Sequence, residues 1–254
     1  MTVILPTYRV AYTPIPKVAC SSIKRALYEV KFGAPYHPRH LRVRLAGGRV
    51  HGVFPSRKFD SAAFARLDGY WKFAVVRDPA ARIISTWADK VMGREGLARA
   101  QSPRGRGFRS LALRLRARGG RMLQRGRVAQ TLPLKPSLDD FVLRLDAYQA
   151  GFHVIEEHTR PAAYYLGPDL SAHDAIYRIE DLDEMQTELS ARLGRRFDLP
   201  RVNASHNRLK PTVDDLSDQA FSALMARLAP EYALLAAYYP RPSRPATHMN
   251  HTGT

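Results

Sequence analysis

The sequence predicts an α/β fold, a three-layer domain in which a central parallel sheet carries helices on both faces. Three short runs of β-forming residues are each followed by a stretch with helical periodicity, an alternation that is typical of a parallel sheet. The runs are Val10–Ile15, Trp71–Val76 and Ala175–Ile179. The chain has 254 residues, 45% of them hydrophobic and 25% charged, which is enough for one such domain with a packed core.

Capping residues and helix breakers set the predicted helix limits. Pro79 suits the first turn of a helix, and Ser137 is an N-cap with Asp140 at the third helical position. Gly194 is expected to end a helix, and Pro230 to begin a new one. The predicted helices cover Ser21–Val30, Ala80–Met92, Ser137–Ala150, Leu182–Leu193 and Val213–Tyr239, the last as two pieces.

We expect a single domain over residues 1–240 and a disordered tail over 241–254. An arginine-rich insertion interrupts the domain at about 93–135, and residues 93–127 hold eleven arginines against one acid, Glu95. This stretch is interpreted either as a solvated, disordered insertion or as a basic lid over an anionic acceptor. The sequence makes no prediction of the oligomeric state.

The charge balance predicts an anionic partner. Forty lysines and arginines face 23 aspartates and glutamates, a formal net charge of +17. A phosphorylated cofactor, an acidic glycan, nucleic acid and an anionic membrane would each suit such a surface. Nucleic acid is disfavoured because no recognisable nucleic-acid-binding module is evident. The arginine-rich stretch also lacks interleaved aromatic residues, since Phe108 is the one aromatic residue in it.

The single cysteine, Cys20, excludes an intrachain disulfide and a zinc site built on paired cysteines. No signal peptide and no apolar run of about 18 residues is evident in the sequence. We therefore expect a cytoplasmic protein. Its positive charge is also compatible with peripheral contact with an anionic membrane surface.

The segment Pro16–Lys24 joins the first predicted strand to the first predicted helix and has the features of a phosphate cradle. Four small residues form its turn: Ala19, Cys20, Ser21 and Ser22. They let backbone N–H groups approach an anion, the helix N-terminus adds partial positive charge, and Lys17 adds an ammonium group. The segment lacks the glycines of a Walker A loop, which disfavours a standard kinase. An ordinary strand–turn–helix with a surface lysine is the alternative.

The segment Phe73–Lys90 delivers a second set of anion-binding groups. Arg77 follows a buried strand, at the end of the sheet where open α/β folds bind ligands. Ser85 lies eight residues further on, about two helical turns away. A guanidinium and a hydroxyl suit a phosphate monoester. The alternative is a surface arginine with an exposed serine.

Together these two segments resemble the cofactor-binding signatures of the carbohydrate sulfotransferases. PKVACSS is similar to the family's PKVACT segment, and VVRDPAARIISTW is similar to its VRDPFERLVSAY segment. The group nearest in appearance contains the chondroitin 4-O- and HNK-1 sulfotransferases, and the chain looks like a soluble, bacterial-type relative of it. Weaker matches follow at Tyr177–Leu182, at Leu199–Ser205 and at Glu157–Pro161, where Thr159 replaces a tryptophan.

The resemblance implies a P-loop-like three-layer domain that transfers a sulfuryl group from 3′-phosphoadenosine 5′-phosphosulfate (PAPS) to a hydroxyl of a glycan or glycolipid. By resemblance, Lys17 is the cation for the leaving group, residues 19–22 hold the 5′-phosphosulfate, and Arg77 and Ser85 hold the 3′-phosphate. No metal is required by this scheme. The acceptor itself is not identified.

The catalytic base has two histidine candidates. His51 lies between the two motifs, as a histidine base does in the similar heparan 2-O-sulfotransferases, and His158 lies in the weaker block at Glu157–Pro161. Either titrates near neutrality and is chemically suited. Glu156 and Glu157 are further candidates, although an exposed acidic pair is the simpler interpretation.

Two other function classes remain open at this stage. A nucleotide-dependent phosphotransferase would use the same cradle, but it should also show a Mg²⁺-binding carboxylate after a strand, which is not evident. A polyanion- or nucleic-acid-binding protein would account for the charge alone.

Overall fold

The computed structural model describes residues 3–93, 96–101, 125, 128–200 and 210–244. Most of the arginine-rich stretch, the greater part of the Leu199–Ser205 block and residues 245–254 lie outside the described residues. Within the described part of the chain, no helix is long and apolar enough to cross a bilayer.

A four-stranded sheet forms the centre of the fold. Its strands lie in chain order: β1 (Val3–Leu5), β2 (Val10–Thr13), β3 (Trp71–Val76) and β4 (Ala175–Arg178). Strands β2, β3 and β4 are parallel, as predicted, and β1 pairs antiparallel with β2 at one edge. The three predicted strands are confirmed. Strand β2 ends at Thr13, one residue before Pro14, because proline has no N–H to donate to a ladder.

Helices follow strands β2, β3 and β4 along the chain. They are α1 (Cys20–Phe32), α2 (Leu41–Leu45), α3 (Val50–Val53), α4 (Ser61–Ala65), α5 (Pro79–Thr86), α6 (Gly96–Gln101), α7 (Leu138–Leu143), α8 (Leu145–Gly151), α9 (His153–Thr159), α10 (Ala163–Leu166), α11 (Leu182–Leu193) and α12 (Asp218–Leu234). A π-helical turn, Trp87–Val91, continues α5, and short 3₁₀ turns occupy Pro6–Tyr8, Ile179–Asp181 and Val213–Asp215.

Most predicted caps are present. Ser137 Oγ accepts from the Asp140 N–H at 3.1 Å, and Gly194, at a φ of 61°, ends α11. The predicted helix from Ser137 breaks at Arg144 into α7 and α8. The expectation for Pro230 is wrong, because α12 runs through it without a break. Tertiary contacts of the next two residues, Glu231 and Tyr232, hold the far end of the helix in place.

The core is built on a run of aromatic rings across the sheet. Tyr12 stacks on Phe73 at 5.0 Å, Phe73 on Trp71 at 4.8 Å, and Tyr177 meets both Phe73 and Trp71 edge-on. Trp87 is also buried, so both tryptophans are core residues. Because the three strands are parallel, their carboxyl ends meet at one edge of the sheet, and the segments after Thr13, Val76 and Arg178 begin there.

Candidate active site

The turn between β2 and α1 has a strained backbone that opens a row of N–H groups. Lys17 and Ala19 have left-handed φ angles of 70° and 56°, which residues with a Cβ adopt at a cost. Ala19 caps α1, and its carbonyl accepts from the N–H groups of Ser22 and Ile23. The first N–H groups of a helix have no partner within it. The start of α1 can therefore donate to an anion placed at this turn.

Lys17 forms an ion pair with a residue that the sequence analysis did not single out. Its Nζ lies 2.7 Å from Asp89 Oδ2, and Lys90 Nζ lies 3.0 Å from the same oxygen. Burial lowers the pKa of Lys17, and the Asp89 carboxylate opposes that shift. Burial would raise the pKa of Asp89, but the two ammonium groups lower it to about 2. The carboxylate is thus ionised and orients Lys17.

Asp89 reaches Lys17 from the π-helical turn that follows α5. A π turn inserts one residue into the helical repeat and rotates the side chains that follow it, and such turns are frequent at functional sites. Helical periodicity predicts an uninterrupted helix over Ala80–Met92, which hides this rotation. Helical periodicity alone therefore gives no indication that Asp89 and Lys90 come together with Lys17.

His51 lies against the cradle with both ring nitrogens engaged. Nε2 is 2.9 Å from Ser21 Oγ, and Nδ1 is 3.2 Å from Lys24 Nζ. An ammonium group only donates, so Nδ1 is the acceptor and the proton sits on Nε2, which donates to Ser21. Partial burial, followed by the charges of Lys24 and Lys90, lowers the pKa of His51 to about 4.

Lys24 is fully buried one turn into α1. Its ammonium also donates to Ser56 Oγ at 3.1 Å. Burial lowers its pKa, while the charge of Glu157 acts in the opposite direction. Hydrogen bonds therefore run from Ser21 through His51 and Lys24 to Ser56.

Arg77 reaches the cradle from the end of β3. Its Nη1 lies 3.4 Å from the Lys17 carbonyl oxygen, at the long end of hydrogen-bonding range, so the two sequence motifs meet. Ser85 lies half-buried in α5, and within the described residues its hydroxyl has no hydrogen-bond partner. The structure thus brings Arg77 to Lys17 and shows no contact between Arg77 and Ser85.

His158 faces the same group of charges from α9. Its Nδ1 lies 2.8 Å from the Val154 carbonyl oxygen, so Nδ1 carries the proton and Nε2 is left as the basic nitrogen. Burial and then the charge of Lys90 lower its pKa to about 3, and the charges of Lys17 and Asp89 also act on it. The structure thus brings the second histidine candidate close to Lys17 as well.

A buried arginine holds the His158 segment in place. Arg82, 1% exposed, donates to the carbonyl oxygens of His158 at 3.2 Å and Arg160 at 2.7 Å. The same guanidinium contacts both carboxylate oxygens of Glu231, at 3.0 and 3.2 Å. Thr86 also donates to the His158 carbonyl. Helix α5 therefore positions a segment more than 70 residues further along the chain.

The remaining motif residues have structural partners. Asp78 caps α5 by accepting from the Ala81 N–H at 2.7 Å, and it also accepts from the Tyr232 hydroxyl. Glu180, in the strand-then-acid block, accepts from the Tyr239 hydroxyl at 2.6 Å. Glu156 is paired with Arg160 at 2.9 Å, which leaves it a poor candidate for the base.

An open cavity of about 970 Å³ adjoins this cluster. Ser56, which accepts from Lys24, is part of its wall. Two aromatic side chains, Phe59 and Tyr164, and two carboxylates, Asp60 and Asp169, also line it. Rings beside hydrogen-bonding oxygens suit a polyhydroxylated ligand, since sugars offer both apolar C–H faces and hydroxyl groups.

Comparison with known proteins identifies the class to which this arrangement belongs. The family model described as the Sulfotransferase family matches residues 1–234. The chain therefore belongs to the sulfotransferase family, and its α/β fold and family together define it as a transferase of sulfuryl groups. No curated protein and no solved structure matches the chain.

Proposed function

We propose that this protein transfers a sulfuryl group from PAPS to a hydroxyl of a carbohydrate or glycolipid acceptor. The observation that carries the proposal is the meeting of both motifs at one edge of the sheet. There Arg77 reaches the Lys17 carbonyl oxygen beside the first turn of α1. Fixed donors and cations that need no rearrangement are what a transferred, multiply charged group requires.

The residues present fit such a donor. The backbone is left-handed at Lys17 and Ala19, and the small side chains of residues 19–22 leave room for phosphosulfate oxygens beside the N-terminus of α1. Ser21 and Ser22 add hydroxyls, and Arg77 together with Ser85 is proposed to hold the 3′-phosphate. When bound, PAPS supplies the activated sulfuryl group. Lys17 then stands where a cation steadies the leaving oxygen.

We infer that His158, rather than His51, is the general base. Both nitrogens of His51 are engaged while Lys24 carries its proton, with the Nε2 proton directed at Ser21. His158 keeps a basic Nε2 because its Nδ1 proton is committed to Val154. With its pKa lowered to about 3, His158 is neutral at physiological pH, so the Nε2 lone pair is available to the acceptor hydroxyl. His51 is assigned to binding the donor through Ser21.

The acceptor is proposed to lie in the cavity bounded by Ser56, Phe59 and Tyr164. Its wall carries Arg57 and Lys58 as well as Asp60 and Asp169, so positive and negative side chains are matched. A cavity with balanced charge favours a polar, largely neutral acceptor, which agrees with a sugar hydroxyl. The resemblance to carbohydrate sulfotransferases supports the same class.

Calorimetric titration with 3′-phosphoadenosine 5′-phosphate tests the donor assignment. We expect binding that Arg77→Ala and Lys17→Ala each weaken by about tenfold or more, since each removes a charged hydrogen-bonding partner. ATP should bind much more weakly. Arg196→Ala is the matched control, because among the described residues this exposed arginine pairs with Asp198 alone. A preference for ATP, or equal loss in the control, would refute the proposal.

A further inference from the structure

A basic and partly apolar surface lies beside the candidate site, on the segment between α1 and α4. From Val30 to Phe59 the sequence contains seven lysines and arginines and no acidic residue. The short helix α2 in this segment exposes two leucines, to 68% and 80%. We call the leucine–arginine patch the five exposed residues Arg39, Leu41, Arg42, Arg44 and Leu45.

The two leucines share one face of α2, because residues four apart are neighbours on a helix. Val43, between them in sequence, is fully buried and anchors the opposite face in the core. The exposed pair is thus held outward by the packing of the helix. Leu143, the other large hydrophobic residue that is exposed in the described part of the chain, is 42% exposed and lies on α7.

The charge of the patch is not neutralised by neighbouring side chains. Among the residues that the structure describes, no carboxylate forms a salt bridge with Arg39, Arg42 or Arg44. Arg42 lies over the Phe32 ring at 3.9 Å, a contact that leaves its charge intact. Three cations therefore stand around two exposed leucines.

We propose that the leucine–arginine patch docks the protein on an anionic lipid bilayer. Leucines that enter the boundary between headgroups and acyl chains recover the free energy lost by their exposure, and arginines beside them bind lipid phosphates. A soluble polyanion would engage the arginines but would give the leucines nothing to pack against. The combination of the two residue types selects the bilayer over such a polymer.

The patch is tied to the candidate site through α1. The Tyr28 hydroxyl lies 3.4 Å from His40 Nδ1, and the two rings stack at 6.0 Å. His40 immediately precedes α2, while α1 begins in the anion cradle and α3, next to α2, carries His51. Docking would place the site next to the membrane, where a lipid-linked acceptor is at hand. That last consequence rests on the proposed function, whereas docking itself does not.

Co-sedimentation with vesicles tests the proposal, using phosphatidylcholine alone and phosphatidylcholine mixed with phosphatidylglycerol. The full chain should bind the mixed vesicles and bind phosphatidylcholine much more weakly. The double variant Leu41→Ser with Leu45→Ser, and separately Arg39→Glu with Arg44→Glu, should each lose about tenfold or more in affinity. Leu143→Ser is the matched control and should bind as the unaltered protein does.

Three outcomes would overturn the proposal. They are no binding to the mixed vesicles, binding that the leucine variant leaves unchanged, and binding to heparin in solution without binding to vesicles. Titration of the same variants with 3′-phosphoadenosine 5′-phosphate separates the two proposals. A variant that loses vesicle binding but still binds 3′-phosphoadenosine 5′-phosphate has a defect in docking alone. If neither the unaltered protein nor any variant binds 3′-phosphoadenosine 5′-phosphate, the proposed function is refuted instead.

Discussion

At the scale of single residues, the assignment of the base depends on which nitrogen carries a proton. His51 and His158 both lie within range of the Lys90 charge, and both have lowered pKa values, so neither observation separates them. Their hydrogen-bond partners do separate them, because an ammonium faces one ring and a carbonyl oxygen faces the other. The distinction is invisible in the sequence, which shows only that both positions are histidine.

We predict opposite kinetic signatures for the two histidines. His158→Ala should lower kcat by about 100-fold or more and leave the affinity for 3′-phosphoadenosine 5′-phosphate unchanged, since it removes only the base. His51→Ala should weaken that affinity by about two- to tenfold, the worth of one hydrogen bond. Transfer of radiolabelled sulfuryl and calorimetry provide the two readings. The reverse pattern would return the base to His51.

Asp89 gives a second prediction at this scale. Asp89→Asn keeps a polar group beside Lys17 but removes a negative charge from the cradle. Affinity for 3′-phosphoadenosine 5′-phosphate should then rise by about fivefold, the effect expected of roughly 1 kcal/mol between partly exposed charges. The rate of transfer should fall because Lys17 loses the carboxylate that orients it.

Calorimetry and transfer assays at low and high salt would check the Asp89 prediction. Asp183→Asn, at an exposed position of α11, serves as the control. It should change neither the affinity for 3′-phosphoadenosine 5′-phosphate nor the rate of transfer. If the Asp89 variant binds the bisphosphate more weakly, the carboxylate supports the cradle structurally rather than opposing the anion.

At the scale of elements, helix α5 is the piece that assembles the site. Its first turn is capped by Asp78, its middle carries Arg82, and its π-helical extension carries Asp89. Arg82 joins the second motif to the His158 segment and to α12 at once. Arg82, the second arginine of the segment Arg77–Arg82, therefore acts as an internal brace. Its guanidinium does not reach the turn between β2 and α1.

We predict that breaking the Arg82–Glu231 pair destabilises the fold strongly. Glu231→Ala leaves a buried guanidinium without its carboxylate and should cost about 3–5 kcal/mol in the free energy of unfolding. Asp198→Ala, which breaks the exposed pair with Arg196, should cost at most about 1 kcal/mol. Urea denaturation of both variants gives the comparison. Equal, small losses would mean that α12 is held by apolar packing alone.

At the scale of the whole molecule, three histidines with lowered pKa values should make stability depend on pH. The pKa of His51 is lowered to about 4, that of His158 to about 3, and that of His173 to about 4, in each case first by burial. Between these values and the ordinary value of 6.5 the unfolded chain binds more protons than the folded chain. Stability should therefore be full above pH 6.5 and fall as the pH drops toward 4.

Thermal or urea unfolding across that pH range would check the prediction. His173→Gln should reduce the slope without touching the candidate site, because His173 contacts Thr13 and Phe64. A profile that is flat from pH 7 to about 4 in the unaltered protein would show that the histidines titrate alike in both states.

The sequence alone predicts the parallel core of the sheet, most helix caps and the edge of the sheet at which the two motifs meet. These follow from local signals: runs of β-forming residues, caps, breakers and the rule that ligands bind at the carboxyl ends of parallel strands. The resemblance to carbohydrate sulfotransferases rested on the same short segments, and the family match over residues 1–234 agrees with it at the level of the family.

Tertiary contacts alone produce the edge strand β1, the unbroken helix through Pro230, the Lys17–Asp89 pair and the Arg82 brace. Each depends on contacts between residues far apart in the chain, 72 positions in the ion pair and 149 in the brace. Periodicity and capping report on neighbours within a few residues, so they carry no information on such pairs. The protonated nitrogen of each histidine was decided in the same way, by partners that only folding brings within hydrogen-bonding distance.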